Sequence, residues 1–148
     1  MTKILSLDPG GTTGYAIVEA TDTGVSLIEA GQIPEDLKGF IRWYDTRMKS
    51  DWDVVVCESF ILRPSVKFPD LSPVYIIGAL EALEYPWEKE IKYQAPSSKP
   101  LCNDDTLKRL EFYQVGKGHA NDAIRHAIIY LRTIRHMPTL RKAWPYED

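Results

Sequence analysis

Three carboxylates and one histidine stand where this sequence would place chemistry. Asp8 closes the apolar run Ile4-Leu5-Ser6-Leu7 and opens the turn Pro9-Gly10-Gly11-Thr12-Thr13-Gly14. Glu58 closes a second apolar run, Val54-Val55-Val56-Cys57. An acid at the end of a buried run is costly unless a cation neutralises it. The third acid, Asp122, lies in His119-Ala120-Asn121-Asp122-Ala123, where positions 119 and 122 are one helical turn apart and share a face. Three carboxylates cannot crowd together fully ionised without cations. A set rich in oxygen, with one imidazole and no cysteine, favours hard ions such as Mg²⁺ or Mn²⁺, and a pair of such ions is a standard means of phosphoryl transfer. Each residue alone has a plainer reading. Asp before Pro-Gly starts many turns, His119 suits a helix start satisfied by backbone, and His126 either orients Asp122 or is an ordinary core histidine.

These residues need elements to carry them. Lys3–Leu7 and Tyr15–Ala20 read as strands around the Gly-rich turn, with Gly10, Gly11 and Gly14 letting the backbone pass close to a ligand. Gly24–Ile33 reads as a third strand. Pro34-Glu35-Asp36 opens a helix to about Lys49, with Leu37, Ile41, Tyr44 and Met48 at helical spacing. Val54–Glu58 is short and β-branched, as in a strand buried on both faces. A Pro-punctuated loop covers Ser59–Leu71. Ser72-Pro73 reads as the cap and first position of a helix to about Tyr85. Glu90–Gln94 is a short strand, Ala95–Pro100 a loop, and Asn103 or Asp104 caps a short helix to about Phe112. The last long helix runs from His119 to Ile134, with Ile124, Ile128, Leu131 and Ile134 as its core stripe, and the tail from Met137 reads as irregular. This order implies an α/β domain over residues 1–148, with a mixed five-stranded sheet: an antiparallel meander, then parallel strands, flanked by helices. Sites in such sheets form at the carboxyl ends of strands. Asp8 and Glu58 both lie there.

Composition narrows the class. An apolar fraction of 44% and a charged fraction of 26% are those of an ordinary globular chain. No run reaches the roughly 18 apolar residues of a membrane span, and the N-terminus lacks a signal-peptide pattern. Cys57 and Cys102 have no metal-ligand spacing and fit reduced thiols in a cytoplasmic protein. Net charge is −3, but residues 1–58 carry net −5 and residues 92–142 carry net +6. The basic third could face phosphates or be a solvated helix surface.

The pattern Asp8-Pro9-Gly10-x-x-Thr13-Gly14-Tyr15-Ala16, then Val55-Val56-Cys57-Glu58, then His119-x-x-Asp122-Ala123 resembles the RuvC-like Holliday junction resolvases of the RNase H-like superfamily. The likeness keeps motif order over most of the chain and is greatest to the compact phage-type members. It implies an RNase H-like fold and a structure-selective endonuclease that hydrolyses four-way and related branched DNA. It implies two Mg²⁺ ions per active site, with Mn²⁺ able to substitute, held by Asp8, Glu58, His119 and Asp122. Some members have Asp where this chain has His119. The family places an aromatic and basic loop after the second acid; Phe60, Arg63, Lys67 and Phe68 occupy that region, and aromatic rings beside cations suit base stacking with phosphate contact. Lys99 and Lys117 fall where the family puts basic residues near the scissile phosphate. A member of phage type would work in the bacterial host cytoplasm.

The Ser72–Tyr85 helix is apolar around most of its circumference, leaving a polar stripe at Glu81 and Glu84. Such a helix needs a second partner besides its own sheet. A homodimer through this helix agrees with the family, whose symmetric nicking uses two active sites.

Three other functions fit parts of the sequence. Asp8-x-Gly-Gly-Thr also looks like the first phosphate motif of sugar kinases and actin-type ATPases, which need two such domains where this chain has room for one. A non-catalytic junction-binding protein would not need acids beside phosphates. An RNase H-like nuclease acting on RNA or flaps has the same residues.

Overall fold

The structure, a computed structural model, describes residues 1–48 and 51–147. β1 (Thr2–Asp8), β2 (Thr13–Ala20) and β3 (Val25–Ile33) form an antiparallel meander. α1 (Asp36–Asp45) returns the chain to β4 (Val54–Glu58), and α2 (Ser72–Glu84) leads on to β5 (Glu90–Gln94). β4 pairs parallel to β1, and β5 parallel to β4, giving the five-stranded order β3-β2-β1-β4-β5. α3 (Asp104–Leu110), α4 (Gly118–Thr133) and α5 (Met137–Ala143) follow. The mixed sheet with its antiparallel-then-parallel order is the one the sequence implies.

Alternation along the strands builds two cores. Ile4, Ala16, Val18 and Val56 face α4, where Ile124, Ala127 and Ile128 cover them. Leu5, Leu7, Ile17, Val55 and Cys57 face the opposite way, against Phe40, Tyr44, Ile76 and Leu80 of α1 and α2. β1 and β4 are thus buried on both faces, which is why their sequences are nearly unbroken apolar runs.

Several local expectations change. α1 stops at Asp45, and Lys49 lies outside the described residues. Its inward side is Phe40 and Tyr44, while Ile41 and Met48 are exposed. Aromatic area decides this register: Trp43 packs on Tyr15 and Trp52, Tyr44 packs on Trp52, and Phe40 packs on Trp43 and Tyr44, so large rings bury more surface than Ile41 or Met48 would. Ser72 is the first residue of α2 rather than its cap, and its N–H donates to Asp70 Oδ1 at 3.0 Å. Glu84 does not belong to a polar stripe: it is buried and accepts from Trp52 Nε1 at 2.9 Å. Ile134 is half exposed because α4 ends at Thr133. The tail is helical over Met137–Ala143, since Pro138 occupies the first turn, where a missing N–H costs nothing.

Candidate active site

Strand pairing brings the first two acids together. Leu7 is registered with Cys57 in the parallel β1–β4 ladder, so Asp8 and Glu58 end neighbouring strands at one edge. The first turn of α4 arrives at the same edge. Two contacts seat it there: Ser6 Oγ donates to the Ala123 carbonyl at 2.6 Å, and the His119 N–H donates to Gln32 Oε1 at 3.1 Å. Gly14 permits this approach. A Cβ on Gly14 would lie 1.8 Å from the His119 carbonyl oxygen. Gly14 therefore makes room for α4 and not, as the sequence suggests, for a ligand. The turn itself is closed by Thr13, whose Oγ1 donates to the Gly10 carbonyl at 3.2 Å.

The four expected site residues converge in overlapping pairs. His119 Nδ1 is 3.3 Å from Asp8 Oδ2. Lys99 Nζ lies 3.0 Å from Glu58 Oε1 and 3.3 Å from Asp122 Oδ2. Burial pushes the Asp8 carboxyl up to about 9, helped by its hydrogen bond with Glu58 and by the charges of Glu58 and Asp122. Burial works to raise Glu58 as well, but hydrogen bonds with His126, Asp8 and Lys99 overcome it and hold that carboxyl at about 2. The two carboxyls are thus driven apart, Asp8 upward by burial and Glu58 downward by its hydrogen bonds.

Among the described residues, no three His, Cys, Asp or Glu side chains already surround one point closely enough to hold an ion. The donor chemistry nonetheless fits a hard divalent cation. Asp8, Glu58 and Asp122 offer carboxylate oxygens, His119 offers an imidazole nitrogen, and the ammonium of Lys99 already bridges two of the carboxylates. A desolvated Asp8 whose carboxyl is pushed upward by burial and by Glu58 and Asp122 is what carboxylates crowded without a cation produce.

The remaining candidates are divided. Lys99 sits inside the carboxylate cluster. Lys117 is exposed at the start of α4 and, among the described residues, makes no ion pair with any of the acids. Phe60 is half-buried and lines a small hollow of about 140 Å³ beside Pro9, Glu58 and Arg63. Phe68 is 87% exposed, and Arg63 and Lys67 are exposed with it.

Two supporting residues, Gln94 and Asn121, escape sequence reasoning, and a third, His126, is the buried histidine the sequence allows but acts on a different acid. His126 is fully buried and faces Glu58, at 3.2 Å from Oε1, rather than Asp122. Gln94 at the end of β5 holds the other side of that ring, with Oε1 2.7 Å from Nδ1. Asn121 clasps Gln114 by accepting its N–H and donating to its carbonyl, both at 2.8 Å, which fixes the connector entering α4. A histidine one turn after Asp122 was the only available signal; Gln94 and Asn121 carried none.

No protein-family model and no curated protein matches the sequence. Solved structures do match. T. thermophilus RuvC in complex with Holliday junction substrate aligns with a TM-score of 0.71 and 12% identity, over 92% of this chain and 97% of that one. The Fowlpox virus Holliday junction resolvase aligns with a TM-score of 0.63 and 14% identity, over 89% of this chain and 99% of that one. Its complex with substrate Holliday junction DNA gives 0.64 and 16%, over 89% and 98%. At such identities the likeness is one of fold. The chain has the RNase H-like fold shared by RuvC and the poxvirus Holliday junction resolvases.

Proposed function

We propose that the protein is a metal-dependent endonuclease that cuts four-way DNA junctions. The observation that carries this reading is the convergence of Asp8, Glu58, Asp122 and His119 at the carboxyl edge of the sheet, on a fold shared with junction resolvases. These four residues would hold Mg²⁺ or Mn²⁺. Two bound ions would polarise the phosphodiester and supply a water nucleophile at neutral pH. The chain's own groups prepare the site. His126 and Gln94 fix the Glu58 carboxylate in place. Lys99, now shared between Glu58 and Asp122, would be released to donate to a phosphate oxygen once those acids bind metal. Phe60, Arg63, Lys67 and Phe68 form the loop next to Glu58 and would meet the junction centre, with Lys117 on the flank.

Resolution of a junction by paired nicks needs two such sites. The outer face of α2 supports a homodimer: Val74 and Tyr75 are 41% and 58% exposed, while Ile76 and Leu80 are buried beneath. Light scattering of the purified chain should give twice the monomer mass; monomer alone at micromolar concentration would remove the paired-nick model.

The function is tested by incubating the protein with Mg²⁺ and synthetic four-way, flap, duplex and RNA–DNA hybrid substrates. Cleavage selective for the four-way junction is expected. Preference for hybrid or flap would assign a different nuclease, and no cleavage of any substrate would refute an enzyme.

A further inference from the structure

α4 carries the candidate site in its first turn and a different surface at its far end. From His119 to Thr133, where α4 ends, the helix rises ~21 Å. There the chain turns in a Schellman motif: the Arg135 N–H donates to the Arg132 carbonyl at 3.0 Å and the His136 N–H to the Leu131 carbonyl at 2.9 Å. Arg135 occupies the left-handed position of that motif, with φ 58°. Glycine is the residue favoured there, so arginine carries backbone strain. α5 then places Arg141 and Lys142 in its last turn.

These cations share one surface. Arg132, Arg135 and Arg141 line an open depression of about 580 Å³ with Trp144 and Glu147. Arg141 also lines a neighbouring one of about 650 Å³ with Lys142 and Asp22. Arg132 is committed: it pairs with Glu147 at 3.2 Å and stacks on Trp144 at 4.5 Å. Arg135, Arg141 and Lys142 are exposed and make no ion pair among the described residues. In a chain of net charge −3, this local excess calls for an external anion. Arg132 occupies one face of the Trp144 ring, and the exposed groups beside it, Arg135, Arg141 and Lys142, offer charge and hydrogen-bond donors. That suits a phosphate backbone better than unstacked bases.

We propose that Arg135, Arg141 and Lys142 form a second binding surface, for the phosphate backbone of duplex DNA, at the end of α4 remote from the carboxylates. The surface goes beyond the proposed cleavage, and its test reads binding to unbranched duplex, so cleavage can fail while this stands or the reverse. The full chain is titrated with a short blunt duplex over a series of salt concentrations, and compared with R135Q/R141Q/K142Q. Each phosphate contact contributes about 0.9 to the slope of log affinity against log salt, so the triple variant should be shallower by roughly 2 to 3. R135G is the second variant. It removes one cation while relieving the left-handed strain, so its slope should fall by about 1 with a melting temperature at or above wild type. Binding is also measured to phosphatidylserine vesicles. Unchanged slopes in both variants overturn the proposal, and so does loss of vesicle binding with duplex binding intact, which would assign the surface to a membrane.

Discussion

His126 Nε2 lies 3.2 Å from Glu58 Oε1, while the opposite ring nitrogen lies 2.7 Å from Gln94 Oε1. The ring is fully buried, and the Gln94 amide is itself anchored to the His126 carbonyl at 3.1 Å. A central acid is therefore aimed by a side chain that solvent does not reach. We predict that His126→Ala weakens Mn²⁺ binding and cleavage by roughly 10- to 100-fold, the usual effect of losing a group that orients a metal ligand. His126→Gln, which restores a donor, should recover part of it. Calorimetric Mn²⁺ titration beside cleavage rates checks this; wild-type Mn²⁺ affinity in a folded His126→Ala protein would contradict it.

Gly14→Ala should break the seat of α4. The added carbon would meet the His119 carbonyl at 1.8 Å, in backbone that has no easy escape. A loss of about 1–3 kcal/mol or more is expected from such overpacking. Activity should fall further than folded fraction, because His119 moves away from Asp8. Denaturant melts and cleavage on the same preparation separate the two effects.

The metal-free protein should lose stability as pH rises. Asp8 is raised from an ordinary value of 3.8 to about 9 by burial and by neighbouring acids. An acid raised on folding stabilises the fold below its ordinary value, and that contribution is lost progressively as pH climbs toward 9. Glu58, held near 2, has the opposite sign, but its loss comes only as pH falls from 4.5 toward 2, outside this window. Thermal melts in EDTA between pH 5 and 9 should therefore slope downward. Asp8→Asn should flatten that slope, and added Mg²⁺ should restore the wild-type melt at pH 8. A flat profile for the wild type would show that Asp8 ionises freely.

Phe68 and Phe60 should differ. Phe68 is 87% exposed, so Phe68→Ala should leave the melt unchanged while weakening junction binding or opening, at about 1–3 kcal/mol per lost stack. Phe60 is half-buried and lines the same hollow as Pro9 and Pro73, and its alanine variant should lower the melt as well. Fluorescence of 2-aminopurine at the junction centre reads the opening. No change in either variant would remove the loop from recognition.

The sheet and the acids were legible because each signal is local. A β-branched run ending in Glu58, or an apolar run turning at Pro9-Gly10-Gly11, states its own strand and the acid that closes it. That His119 and Asp122 share a face is legible from helical spacing; that this face meets the ends of β1 and β4 is not. The rest depends on packing between distant segments. Nothing local tells that Gly14 serves His119, that Gln94 on β5 holds His126 on α4, or that Trp52 turns Glu84 inward. The α1 register differs for the same reason: Ile41 and Phe40 are both apolar, and only the ring cluster, in which Phe40 packs on Trp43 and Tyr44 and these on Trp52, decides between them.

The measurement closest to the central claim is single-turnover cleavage of a four-way junction by Glu58→Gln in Mg²⁺, with melting and junction affinity on the same protein. The substitution keeps shape and removes the charge held at the end of β4. The account predicts a folded protein that binds the junction at least as well as wild type and cuts it roughly 100-fold more slowly or worse. A folded Glu58→Gln protein that cuts at near wild-type rate would contradict it.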